Sequence, residues 1–283
     1  MNNITVSLFN LFYQALKRLF ADEAIPLAGN IAFRIVFSIF PFLIFLTSLA
    51  GFFGSEALAE SVVTFLFSVA PVELVRPFSG EIRSILTVPR AGLLSLSAAL
   101  TIWSAMAGVD SVRVGLNRSY DLKDQRSLWY LYAQNVLFVI GAAILLLVVA
   151  ILLVIYPIAI SVIAKYAPQQ LASFLSIDQL RYPVAMLLLL AGLLLSHRIL
   201  PAQSMPILYL LPGVVLTVIV WIGLSEAFSI YLQYFNSFAS TYASLSGLFA
   251  AMFFIYWAAL ILIFGGEVNR VMGVMRQSST LKK

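Results

Sequence analysis

No cysteine occurs anywhere in the 283 residues, so disulfide frameworks, thiolate metal sites and thiol nucleophiles are excluded at once. Histidine is nearly as scarce. The single His197 cannot build a multi-histidine metal centre, and no Ser-His-Asp arrangement suggests itself around it. Charge is sparse too: Asp, Glu, Lys and Arg together make up 10% of the chain, against about 25% in an ordinary soluble domain. No glycine-rich phosphate loop of the P-loop type is present, which excludes an ATP-driven pump built from this chain alone. Residues 1–26 lack a short apolar core followed by a small-residue cleavage site, so no removable signal peptide is expected.

What the chain does have is apolar length. Residues Val136 to Ile155 run without a charged or strongly polar side chain, about the length an α-helix needs to cross a ~30 Å hydrocarbon core. Hydrophobic residues reach 62%. The expected fold is an all-α polytopic transmembrane bundle of six spans, over roughly 28–53, 91–115, 131–156, 182–200, 208–234 and 244–268. Its organisation is an interfacial amphipathic segment over 1–26, a membrane domain over 27–272 and a cytoplasmic tail over 273–283. In the first segment Ile4, Leu8, Leu11, Phe12, Ala15, Leu19 and Phe20 recur at helical spacing opposite Asn3, Ser7, Asn10, Gln14, Lys17 and Arg18. The connection over 56–90 keeps the same period in two pieces and reads as two external amphipathic helices lying on the membrane.

Orientation follows from the cations, because short loops rich in Lys and Arg stay in the cytoplasm. With the N-terminus inside, Lys17, Arg18, Arg113, Arg118, Lys123, Arg126, Arg198, Arg270, Arg276, Lys282 and Lys283 are cytoplasmic, and Arg76, Arg83, Arg90, Lys165 and Arg181 are external. Both termini then lie inside, as six spans require. The net charge of +5 is read as this topological bias, and nucleic acid is not an expected partner.

An ionisable side chain in a span costs at least about 2.5–3.5 kcal/mol on insertion scales, so each needs a partner, water or a function. Arg34 lies about 9–10 Å inside span one, at a depth similar to Asp110 in span two. They can pair, either as a structural ion pair that fixes register or as part of a substrate or ion pathway. Span two carries Ser97, Thr101, Ser104, Gly108, Ser111 and Gly115 on one narrow face, a packing seam or the lining of a polar conduit. Span six repeats small residues at Gly247, Ala251, Ala258 and Gly265, which places it beside span two or its own copy. In span five Glu226, Ser229, Gln233 and Asn236 share a face in the outer half of the bilayer, fitting a hydrated cavity open to the outside or a structural glutamate. Pro41 in span one and Pro212-Gly213 in span five interrupt backbone hydrogen bonding. His197 beside Arg198 reads as a solvated interfacial pair.

Several segments in order resemble one known family. They are Ala32-Phe33, Ser38-Ile39-Phe40-Pro41, Trp103, Gly115-Leu116-Asn117-Arg118-Ser119-Tyr120-Asp121, Leu211-Pro212-Gly213, Phe228-Ser229-Ile230-Tyr231, Tyr242 with Ser244-Leu245-Ser246-Gly247, and Phe264-Gly265-Gly266-Glu267-Val268-Asn269. Over roughly residues 25–272 the chain resembles the YihY/BrkB family of bacterial inner-membrane proteins, departing at Arg34 and Ala243. The resemblance implies a bacterial inner-membrane protein of about six spans. Family members have carried a ribonuclease label, and that reading fails on this chain: one histidine and twelve scattered acids supply no ligand cluster for metal-dependent RNA hydrolysis. The expectation is a non-enzymatic transporter or translocator of an anionic or amphiphilic, lipid-like substrate, with a non-transporting membrane scaffold or envelope-integrity protein as the alternative. Binding or pathway candidates are Arg34, Asp110, Arg113, Asn117, Arg118, Glu226, Ser229, Gln233, Asn236 and Glu267. No catalytic residue, metal or cofactor is expected, and the expected partners are membrane lipids and a second copy through small-residue helix faces.

Overall fold

The structure, a computed structural model, describes residues 2–53, 60, 91–156, 160, 178–235 and 243–280. Among them there is no strand. The helices are α1 (Asn2–Ala21), α2 (Ala24–Phe53), α3 (Ala91–Ser119), α4 (Leu128–Ala150), α5 (Asp178–Ile199), α6 (Ile207–Phe235) and α7 (Ala243–Thr280). Helices α2 to α7, α4 together with the turn that continues it, each supply a stretch long and apolar enough to cross a membrane: Ala24–Phe45, Gly92–Ser119, Leu128–Leu153, Leu180–Ile199, Ile207–Leu232 and Gly247–Met275. These are the six expected spans. The last helix continues to Thr280, so most of the segment read as a tail is helical. The amphipathic helices expected over 56–90 lie outside the described residues.

The chain forms two compact units, residues 33–108 and the combination of 1–32 with 109–283. In the smaller unit the polar seam of α3 behaves as a steric device. Ser97 donates to Leu93 O at 2.5 Å, Thr101 to Ser97 O at 2.7 Å and Ser104 to Thr101 O at 3.1 Å, all within the helix. Hydroxyls that bond to their own backbone free no donor for a neighbour, and what remains on that face is small volume. Gly108 uses it to admit Ile35, whose Cγ1 would lie 3.6 Å from an added Cβ.

In the larger unit α1 ends in a sharp corner. Asp22 N bonds to Arg18 O, Glu23 sits at φ 57°, and α2 starts at the next residue, with Leu27 N returning to Glu23 O. Helix α1 then packs Leu11, Ala15 and Leu19, its buried face, with Leu11 and Ala15 in one cluster with Val268 and Val271 of α7. Phe9, Tyr13, Leu16 and Phe20 point away from the protein, giving the helix an apolar outer surface beside its polar stripe, while Phe12 sets its ring 6.4 Å from Phe264 of α7. Helices α6 and α7 run antiparallel in close contact, with Gly213 against Gly265 and Trp221 Nε1 donating to Ala258 O at 3.0 Å.

That contact explains how α6 stays continuous through Pro212. Proline has no N–H and its ring crowds the carbonyl four residues back, which loosens the helix locally. Here the amide of Gly213 is taken by Asn269 Oδ1 of α7 at 2.7 Å, so the interruption becomes a docking point between helices. Span six does meet span two, but through Ile263 against Gly115 and Gly266 against Ser119, while its small residue Gly265 packs on α6. Helix α4 ends in a π turn over Ile151–Ile155, closed by Tyr156 N to Ile151 O.

A Cβ on Gly213 would fall inside the carbonyl of Gly265, whereas a Cβ on Gly223 of the same helix meets nothing within 4 Å. Gly213→Val should therefore lower folded stability by about 1–3 kcal/mol or more, in the manner of an overpacked core. Gly223→Ala should leave it within about 0.5 kcal/mol. Thermal unfolding of the two purified variants in the same detergent checks this, and equal melting temperatures would mean the α6–α7 contact is not tight.

Candidate functional site

The polar side chains of the larger unit gather where α3 ends, α4 begins and α5 ends. Their arrangement starts with the local fold. Helix α3 closes in a Schellman-type cap: Leu122 N bonds to Asn117 O at 2.8 Å, Asp121 takes the left-handed conformation at φ 55°, and Leu122 packs on the core that contains Leu116. Asp tolerates that conformation better than most non-glycine residues, because its short polar side chain can bond locally. The chain turns through 122–127, and Ser127 caps α4 with its hydroxyl accepting from Tyr130 N at 3.4 Å.

The turn presents Asp124 inward. Its carboxylate accepts from Arg113 Nη1, from Arg126 Nη2 at 2.7 Å and Nε at 2.8 Å, from the Arg126 amide at 3.2 Å and from Asn117 Nδ2 at 3.2 Å. The Arg126 hydrogen bonds, foremost, together with Arg113, hold the Asp124 carboxyl well below the usual carboxylate range against the opposing effect of burial. Arg126 is correspondingly pushed up, first by its bond to Asp124. Each partner reaches further. Arg113 donates from Nη2 to Asp110 at 2.7 Å, and Asn135 Nδ2 reaches the same Asp110 oxygen at 3.4 Å. Arg126 bonds to Gln134 Oε1 at 3.1 Å and Leu200 O at 2.7 Å, Gln134 Nε2 donates to Ile199 O, and Asn117 Oδ1 accepts from Ala202 N at 2.7 Å. The exposed carbonyls at the α5 C-terminus are thus capped by side chains from α4 and its preceding turn.

A second chain of bonds lies deeper. Asn269 Oδ1 is committed to Gly213 N, so its Nδ2 is the group that donates to Tyr120 Oη at 3.1 Å. Tyr120 Oη and His197 Nδ1 lie 2.7 Å apart and share one hydrogen bond, while Nε2 on the other side of the buried ring meets no hydrogen-bond partner among the described residues. Burial, as the largest effect, pushes the Tyr120 phenol far above its ordinary range, so it remains a donor at any physiological pH. His197 is completely buried. The solvated His197–Arg198 pair is therefore corrected: only Arg198 is exposed, and His197 ties α5 to the α3 turn, with its ring edge-on to Tyr120. Around this chain Arg270 of α7 spans Asp121 at 2.6 Å and Asp22 at 3.8 Å.

Against the sequence-based candidates, Asp110, Arg113 and Asn117 come together in one network. Arg118, one residue on, faces outward and is exposed. Arg34 belongs to the smaller unit, where Nη1 donates to Ala107 O at 3.2 Å. Glu226 and Ser229 lie on the exposed surface of α6; the Gln233 side chain and all of Asn236 fall outside the described residues. Glu267 is fully buried, and neither carboxyl oxygen has a hydrogen-bond donor. The residues that sequence reasoning passed over are Asp124, Arg126, Gln134, Asn135, Tyr120, His197, Asn269 and Arg270. For Tyr120 and Asn269 a signal was present, since both lie in the segments that carry the family resemblance. Among the described residues no group of three or more His, Asp or Glu side chains is placed to hold a metal ion.

With this geometry in view, the chain matches the family described as Virulence factor BrkB over residues 15–283. It belongs to that family. It is 28% identical over 262 residues to YfkH of Bacillus subtilis (strain 168), a protein whose name describes it as ribonuclease-like, covering 91% of this chain and 94% of that one. It is 27% identical over 96 residues to a UPF0761 membrane protein of Tolumonas auensis, covering 34% of this chain and 32% of its relative. No solved structure gives a significant match. Family and six apolar helices together make this BrkB-family chain a multi-pass membrane protein.

Asp124 gives the site a testable pH dependence. Because its folded pKa is depressed, its contribution to stability is fully present above the ordinary value of 3.8 and is lost as pH falls through the lowered folded value. Asp124→Asn leaves Arg113 and Arg126 without their shared anion and should cost roughly 1–3 kcal/mol at neutral pH, the range for hydrogen bonds to a charged group in a partly buried network. The variant should also lose part of the acid sensitivity. Melting temperatures of both proteins from neutral pH down to pH 3 check the sign, and parallel curves would remove Asp124 from its central place.

Proposed function

We propose that this protein translocates an anionic or amphiphilic, lipid-like substrate across the bacterial inner membrane, with both termini in the cytoplasm and no catalytic step of its own. The observation that carries the reading is Glu226. It lies six residues before the Leu232 end of a membrane-spanning stretch, about 9 Å in at 1.5 Å per residue, and it is exposed on the surface of α6 together with Ser229. Facing hydrocarbon, that carboxylate would cost on the order of 2.5–3.5 kcal/mol. Facing a water-filled path, it costs little and offers a polar stripe along which a headgroup can move while acyl chains stay in lipid. The cation distribution of the sequence supports the orientation.

A scaffold function is the second reading, and one observation favours it. The charges at the α3–α4–α5 junction are neutralised by one another, Arg113 by Asp110 and Asp124, and Arg126 by Asp124, which is what a purely structural joint would show.

The two readings separate by experiment. With no native cysteine, single cysteines at Glu226, Ser229, Gln233 and Asn236 should react with a membrane-impermeant thiol reagent added from outside, and Ile222 should react far less. In proteoliposomes, Glu226→Gln should alter flux of a fluorescent phospholipid without lowering the amount of folded protein. Absence of labelling at all four positions, or labelling with no protein-dependent flux, would favour the scaffold.

A further inference from the structure

Every carboxylate described at the junction is served by donors except one. Asp124 and Asp110 accept from arginines and amides, and Asp121 accepts from Arg270. Glu267 accepts from none, although it is fully buried and both of its oxygens are out of contact with solvent. The charged groups around it come from three elements. Asp22 of the α1–α2 corner, itself 3.8 Å from Arg270, and Arg18 of α1 both act on it electrostatically, and Arg270 lies on its own helix. From the α3 turn the titratable neighbour is Tyr120, whose hydroxyl is already held between Asn269 and His197. Arg270 is drawn elsewhere as well, to Asp121 at 2.6 Å and Asp22 at 3.8 Å.

A buried carboxylate without a donor forfeits its hydration and regains nothing. Two carboxylates facing each other add repulsion, and one proton held between them removes both penalties by turning one partner into a donor and leaving the other as its acceptor. We propose that Glu267 and Asp22 form a proton-binding site: Glu267 carries the proton and donates it to the carboxylate of Asp22. The bond joins α7 to the corner where α1 turns into α2, next to the Arg270 bridge that joins the same corner to the α3 turn. Release of the proton leaves a second anion beside Arg270, which then has Glu267 as a competitor for its contact with Asp121. The site therefore links the protonation of one buried group to the packing of three helices. It stands independently of the transport reading, and under that reading it is the group through which a proton gradient would act.

Infrared spectroscopy of the intact protein in lipid nanodiscs tests it directly. The wild type at neutral pH should show a carbonyl stretch of a protonated carboxylic acid that shifts in heavy water, and the band should be lost in Glu267→Gln. Glu226→Gln, which changes the exposed acid of α6, should retain it. Asp22→Asn offers an amide donor to Glu267 and removes the neighbouring anion, so the pH at which the band disappears should move down. This second variant carries the test if Glu267→Gln fails to fold. The melting temperature should fall as pH rises through the titration of the band, because the native state holds the extra proton there, and the fall should be absent in Glu267→Gln. A band missing from the wild type, or one unaffected by both variants, would overturn the proposal. So would a melting temperature that responds to sodium in place of choline but not to pH, since the site would then hold a metal cation.

Discussion

One carboxylate, Asp124, holds together an end of the bundle that lipid would otherwise pull apart. Between membrane helices there is little hydrophobic drive, since a leucine is as content against an acyl chain as against another leucine. Association has to come from close backbone approach and from polar groups that find each other. Asp124 gathers two arginines and an asparagine, and through them the carbonyls at the end of α5 and the start of α4. Remove the anion and Arg126 loses its ion-pair partner while Arg113 is left with Asp110, just where α3, α4 and α5 should meet. Much of what is ordered at this end follows from that arithmetic of charge.

The rest of the larger unit is built on closeness. At Gly213 and Gly265 the absence of side chains lets two backbones touch, and Asn269 repairs the amide that Pro212 exposes. The two devices depend on each other. Without the glycines Asn269 would not reach, and without Asn269 the contact would enclose an unpaired donor. The Tyr120–His197 bond extends the same chain of donors and acceptors to α5, so that each polar group near the buried end settles the orientation of the next.

Much of the architecture was legible because hydrocarbon thickness sets span length, and uninterrupted apolar runs such as Val136 to Ile155 have few other readings. The small-residue faces were legible as packing surfaces, and span six does meet span two, one of the two neighbours its pattern allows; but periodicity does not say which residues touch, and the contact runs through Ile263 and Gly266 while Gly265 meets α6. Asp124 was invisible for a different reason. A charged residue in a connecting segment ordinarily signals solvation, and its partners come from helices that only the fold brings together. His197 was misread on the same grounds, because its neighbour Arg198 is exposed and its own partner Tyr120 lies 77 positions away in the chain. Glu267 was noticed as part of a recurrent segment, but its isolation from donors depends on surroundings contributed by α1, which no motif encodes.

The π turn at Ile151–Ile155 bears on how this family's sequences can drift. A π turn is an α-helix with one residue more than it needs, absorbed locally as a bulge. Each extra residue rotates whatever follows by about 100° relative to the uninterrupted spiral. The widened turn takes up that surplus between Ile151 and Tyr156. Relatives lacking one residue at this point of span three can present the same faces on an unbroken α-helix, so a single gap in an alignment there is compatible with an unchanged bundle.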